Sequence, residues 1–172
     1  MRNFIITVAA SSLVLLSGHA AAQAPSDAQI AAIVVTANQD AGKLAEAKGS
    51  NAEVKAFGKQ MVTDHSGVNK QAVALVTKLK VTPEDNATSK SLKAGGADNV
   101  RNLEKLSGAA FDKAYVDHEV AYHQQVLDAI DKTLIPSAQN AELKSLLVSV
   151  RPAFVAHLEH AKSLQATLAK KG

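Results

Sequence analysis

The chain has 172 residues, 47% of them hydrophobic, with a formal net charge of +3. That suffices for one domain with a sizeable core and is too short for two comfortable ones. Cysteine and Trp are absent and aromatics make up only 3%, which excludes disulfides, thiolate metal sites and a cysteine nucleophile, and argues against a nucleic-acid groove of cations and stacking rings.

The N-terminus reads as a secretory leader. Arg2 supplies a positive charge, Phe4 to Leu16 is a short apolar run, and Ser17 to Ala24 offers small residues in an A-x-A pattern. Cleavage is expected after Ala22, giving a leader over 1–22 and a single helical-bundle domain over 23–172. The apolar run is too short for an ordinary membrane span, and no transmembrane segment is expected after leader removal. The expected location is therefore outside the cytoplasm, in the periplasm or at the outer membrane.

Composition points to helices, because a core of Ala, Val, Leu and Ile suits close-packed helices better than sheets. Ser26 and Gln29 form a capping-box pair that opens a first helix running to about Lys48, with Ile30, Ile33, Val34, Ala37, Ala41 and Leu44 as its stripe. Gly49 ends it. Ser50 and Glu53 predict a second box and a helix carrying Val54, Phe57, Met61, Val68, Ala72 and Leu79, stopped ahead of Pro83. From Glu84 to Gly108 the pattern thins, and the expectation is a loop with helical pieces. A third helix spans roughly Ala109 to Leu134, with Ile135-Pro136-Ser137 as a turn. A fourth runs from about Asn140 to Ala169, kinked or divided at Pro152. The expected fold is all-α: an antiparallel four-helix bundle with an irregular helical segment between helices 2 and 3.

Three histidines fall on apolar stripes near mid-helix. His65 follows Phe57 and Met61, His123 lies among Val116, Val120 and Leu127, and His157 lies among Val150, Phe154 and Ala161. Mid-helix positions of antiparallel neighbours come to the same depth, so three imidazoles from three helices can meet in one layer. Asp64 adjoins His65, and Glu119 stands one turn before His123. His65, His123 and His157 are therefore candidate metal ligands, with Asp64 and Glu119 as ligands or orienters of the imidazoles. Imidazole and carboxylate donors suit Zn, Fe, Mn or Cu. The alternative is a metal-free structural or interaction protein of the envelope. Its histidines would be hydrogen-bonded core residues, with Tyr115, Tyr122 or the Val148 carbonyl as partners. An envelope protein or a second copy of the chain would then be its partner. Glu46, Glu53, Glu104 and Asp128 fit solvated faces. No phosphate loop or nucleophile elbow is present, and no catalytic residues are assigned.

The segment Val54-Lys55-Ala56-Phe57-Gly58-Lys59-Gln60-Met61-Val62-Thr63-Asp64-His65, with Asn69 one turn on, resembles the hallmark of the bacterial family called domain of unknown function 4142. Phe111-Asp112-Lys113-Ala114-Tyr115 followed by His123 resembles its second segment, and Pro152 with Ala156-His157-Leu158 and Ala161 its third. The resemblance implies a ferritin-like bundle in an exported or outer-membrane protein, and implies no established activity. Di-iron ferritin-like proteins use Glu-x-x-His on two helices and Glu on the others. Here Glu119 and His123 are four apart, and His157-x-x-His160 has no Glu three before either His. The first helix offers only Asp40. Oxidase or iron-storage activity is not implied.

Overall fold

The structure is a computed structural model that describes residues 24–35 and 39–170, which form helices and short connections with no strand among them. The leader expected over 1–22 lies outside the described residues. The helices are α1 (Asp27–Val34), α2 (Asp40–Lys48), α3 (Ala52–Leu79), α4 (Ala87–Glu104), α5 (Gly108–Ala129), the single turn α6 (Ile135–Ser137) and α7 (Ala141–Ala169).

The capping box of Ser26 and Gln29 is formed, each side chain meeting the other residue's backbone N–H. The helix it opens does not continue to Lys48: α1 ends at Val34, with Val35 as its C-cap, and α2 begins at Asp40. Ile33-Val34-Val35-Thr36 is a β-branched run that lowers helix propensity where the continuous helix was expected. The second expected box is not formed either. Asn51 caps α3, accepting from the Glu53 N–H at 2.8 Å, while Ser50 is drawn away to Asp112 of α5. The buried Asp112 carboxylate accepts from the Ser50 N–H at 2.9 Å, from the Ser50 hydroxyl and from the Asn51 N–H at 2.8 Å. It thereby ties the start of α3 to α5.

The stretch expected to be irregular is the regular helix α4, opened by a capping box of Asn86 and Ser89. It lies against α1, α2 and α5, with Ser89, Asn99 and Leu103 buried. The third helix ends earlier than expected. A π-helical turn, Ile130–Leu134, follows α5, and Ile135–Ser137 is helical rather than an open turn. Pro136 has no N–H for the Lys132 carbonyl, so the regular ladder cannot run through this point. Pro152 does not divide α7, which is continuous from Ala141 to Ala169. The carbonyl it leaves without a backbone donor belongs to Val148, an exposed residue, so solvent can take the donor's place.

Cross-helix pairs fix the directions. Asp64 meets His157 and Lys78 meets Glu142, so advancing along α3 means retreating along α7. Asp117 of α5 with Gln165, and Asp131 of the π-helical turn after it with Arg151, give the same antiparallel relation to α7. The helix α7 thus packs antiparallel against both α3 and α5, α2 lies along α3, and α4 lies against α1, α2 and α5. At the α2–α3 crossing a Cβ on Gly58 would lie 2.7 Å from both the Gly42 carbonyl oxygen and the Ala45 Cβ. The two backbones approach so closely that only Gly fits there.

The apolar core falls into two parts. One gathers Val68, Leu127, Leu147, Phe154 and Leu158; the other gathers Phe57, Met61, Tyr115, Val116 and Ala161. The three stripe histidines stand between them along each helix: His65 between Met61 and Val68, His123 between Val116 and Leu127, His157 between Phe154 and Ala161. No described helix is long and apolar enough to cross a membrane.

Candidate metal centre

His65 on α3, His123 on α5 and His157 on α7 are all buried, at 2%, 0% and 2% exposure. Each offers a ring nitrogen, and these three atoms lie within 4.8 Å of one another. Ring centroids are 5.7 Å apart for His65 and His123, 5.6 Å for His65 and His157, and 5.3 Å for His123 and His157. Phe154 forms an apolar wall, stacked on His65 at 5.7 Å and 5.8 Å from His123. The layer expected from the stripes is brought together.

The hydrogen bonds decide which nitrogens face inward. The Nδ1 of His123 is 2.9 Å from the Glu119 backbone oxygen, which can only accept, so Nδ1 carries the proton and Nε2 a lone pair. The Nε2 of His157 is 2.9 Å from an Asp64 carboxylate oxygen, so Nε2–H donates and Nδ1 keeps its lone pair. Those two lone-pair nitrogens, His123 Nε2 and His157 Nδ1, are buried with no hydrogen-bond partner among the described residues. Outer nitrogens anchored and inner nitrogens bare is how metal-binding imidazoles are held. Burial also pushes the His123 pKa down to about 3, keeping it in the neutral form that a metal requires.

The two carboxylates differ in their surroundings. Asp64 is partly exposed and meets the outer nitrogen of His157. Glu119 is buried, with its carboxylate 3.4 Å from the already engaged Nδ1 of His123; burial pushes its pKa up to about 8. Asp40, considered at the stripe edge, is exposed at the start of α2 and paired with Lys43. His160 is exposed and edge-on to Phe57 at 4.9 Å, away from the layer. Glu46, Glu53, Glu104 and Asp128 are exposed, as their faces implied. The Tyr115 hydroxyl, an expected imidazole partner, has no hydrogen-bond partner among the described residues. Tyr122 packs edge-on against His123 at 5.5 Å. The long-range Asp64–His157 pair had no signal in the sequence beyond the adjacency of Asp64 to His65.

A metal–imidazole bond is roughly 2.0–2.1 Å long, so neighbouring nitrogens around one tetrahedral ion stand roughly 3.3 Å apart. From separations of up to 4.8 Å, side-chain rotations on the order of an ångström would close the three rings on an ion. Imidazole donors without thiolates suit borderline divalent transition ions.

Fold and site together define an all-helical protein with a buried three-histidine cluster at mid-bundle. The chain belongs to the family described as Domain of unknown function (DUF4142), whose sequence profile matches residues 15–164. Nothing among the curated proteins or the solved structures matches it.

Proposed function

We propose that this is an exported helical-bundle protein that binds one divalent transition-metal ion through His65, His123 and His157. The observation that carries the reading is the pair of buried lone-pair nitrogens on His123 and His157, their rings anchored from behind by the Glu119 carbonyl and Asp64. Two lone-pair nitrogens buried in an aliphatic core without a proton or ion between them stay unsatisfied, which a fold avoids unless something occupies them. In this reading Asp64 orients His157, and Glu119 balances the charge of the ion from within the core. Zn, Cu, Fe and Mn all accept such donors, with the imidazole-rich set favouring Zn or Cu over Mn.

Export is supported by the leader pattern over 1–22. Mass analysis of the protein recovered from the periplasmic fraction should give a chain beginning at Gln23, whereas an intact Met1 would overturn it.

The deciding experiment is elemental analysis of the mature protein, purified without an affinity tag, beside a His65→Ala/His123→Ala/His157→Ala variant. Near-stoichiometric metal in the parent and none in a still-helical variant is expected. A metal-free parent that also fails to take up added Zn, Cu, Fe or Mn would return the histidines to a purely architectural role.

A further inference from the structure

A cavity of about 30 Å³ lies where α2, α3, α4 and α5 meet, with His65, Leu92, Gly96, Asn99, His118 and Glu119 among its walls. Of the three layer histidines only His65 reaches it, so a solvent molecule there stands behind that ring and is no ligand of an ion held by all three. Leu92, Gly96 and Asn99 recur at helical spacing, so one face of α4 borders this space. Asn99 is the anomaly on that face. It is only 9% exposed, and its Nδ2 has no hydrogen-bond partner among the described residues. The other buried polar residue of α4, Ser89, is accounted for by its capping bonds with Asn86. On α5, His118 Nδ1 is buried and likewise without a partner, and the Glu119 side chain is buried beside it. A neighbouring cavity of about 50 Å³ shares Leu92 and Tyr122 with the first, and its other walls, Val68, Val126 and Phe154 among them, are apolar.

Buried donors and acceptors without partners are costly, and a fold retains them where something bridges them. Apolar voids stay dry, whereas a void with room for one water, roughly 10–15 Å³, and two to four polar partners holds one. The first cavity meets both conditions, and the second fails the polar one. We propose that the first cavity binds an internal water molecule that joins Asn99 of α4 to His118 and Glu119 of α5. Asn99 Nδ2 donates to the water oxygen, and the two water hydrogens go to His118 Nδ1 and the Glu119 carboxyl. Its bonds then number about three, the usual complement of a buried water, and neither Asn99 nor His118 is left unsatisfied. Through it α4 acquires a polar link to the carboxyl that lies 3.4 Å from His123 Nδ1. The site needs no ion, so it stands or falls apart from the metal-binding reading.

Oxygen-17 magnetic relaxation dispersion on the metal-stripped mature protein counts the waters held for longer than molecular tumbling, and nuclear Overhauser contacts to water locate them. Contacts from a long-lived water to the Asn99 amide hydrogens and to the carbon-bound hydrogens of the His118 ring are expected, with none to the Val68 and Val126 methyls of the apolar cavity. Asn99→Leu removes the donor, and His118→Phe removes an acceptor while keeping a ring in place. Each should lower the count by one with the far-ultraviolet circular dichroism unchanged, and either one suffices if the other fails to fold. A parent without water contacts at Asn99 and His118 overturns the proposal, as does a count that stays the same in every variant that folds. Equal contacts at the Val68 and Val126 methyls would overturn it too, because polarity would then not decide which cavity is wet.

Discussion

The Asp64 carboxylate, on α3, receives the Nε2–H of His157, on α7, at 2.9 Å, so the residue preceding one candidate ligand orients another. The side chain of Asp64 is 38% exposed, which makes its removal tolerable to the fold. Asp64→Ala should leave the far-ultraviolet circular dichroism unchanged and weaken Zn binding by about 10–100-fold, the usual cost of losing a carboxylate behind a metal-bound imidazole. Competition with a chromophoric chelator measures it. Unchanged affinity would remove Asp64 from the site.

Binding should also be visible as stability. An ion that binds only the folded chain adds about 2.7 kcal/mol at a free concentration one hundred times its Kd. At about 2–4 °C per kcal/mol for a chain of this length, the thermal midpoint of the metal-stripped protein should rise by about 5–10 °C on adding Zn. The rise should vanish in His123→Ala, whose own midpoint will be lower because a buried ring is lost. A rise of equal size in that variant would place the ion elsewhere.

The metal-free protein should be most stable on a plateau between roughly pH 4.5 and 6.5. Burial lowers the His123 pKa to about 3 in the folded state, so the unfolded chain binds more protons below its ordinary value and stability falls as pH drops from about 6.5 toward 3. Glu119 acts with the opposite sign. Its folded pKa is raised to about 8, so the folded chain holds the extra proton and stability falls as pH rises from about 4.5 to 8. Between the two ordinary values the slopes oppose one another. Urea unfolding across pH should show both limbs, and Glu119→Gln should abolish the alkaline limb while sparing the acid one.

Two glycines of α3 should respond oppositely to alanine. Gly58→Ala forces a Cβ to within 2.7 Å of the Gly42 carbonyl oxygen and the Ala45 Cβ, and should destabilise by about 1–3 kcal/mol. At Gly67 a Cβ would meet nothing within 4 Å, and a helix-interior glycine replaced without strain should gain about 0.5–1 kcal/mol. Chemical denaturation of both variants decides; equal midpoints would argue against a close α2–α3 crossing.

Much of this molecule could be read from spacing alone. The capping box at Ser26, the extents of the two longest helices and the common depth of His65, His123 and His157 all follow from residue type and the helical period. The helix α4 did not, because its buried positions include Ser89 and Asn99, residues that look like surface, and because Gly95-Gly96 imitates a loop. With α4 unseen, the cavity that Asn99 helps to wall could not be anticipated. The Asn51 cap was masked by a contest decided at long range: Asp112 takes Ser50, and nothing near Ser50 in the sequence announces it. Which nitrogen of His157 keeps its lone pair likewise depends on a contact, that with Asp64, made only once α3 and α7 are assembled.

The halves of the apolar core that meet at the histidines have a consequence for how the chain holds itself together. His65, His123 and His157 are remote in sequence and sit on three separate helices, so one ion bound there would act as a cross-link closing two long stretches of polypeptide. Closing such loops confines the unfolded ensemble in the way a disulfide does. A chain with no cysteine would then possess a staple after all, placed at mid-height rather than at its ends, and one that a chelator can undo.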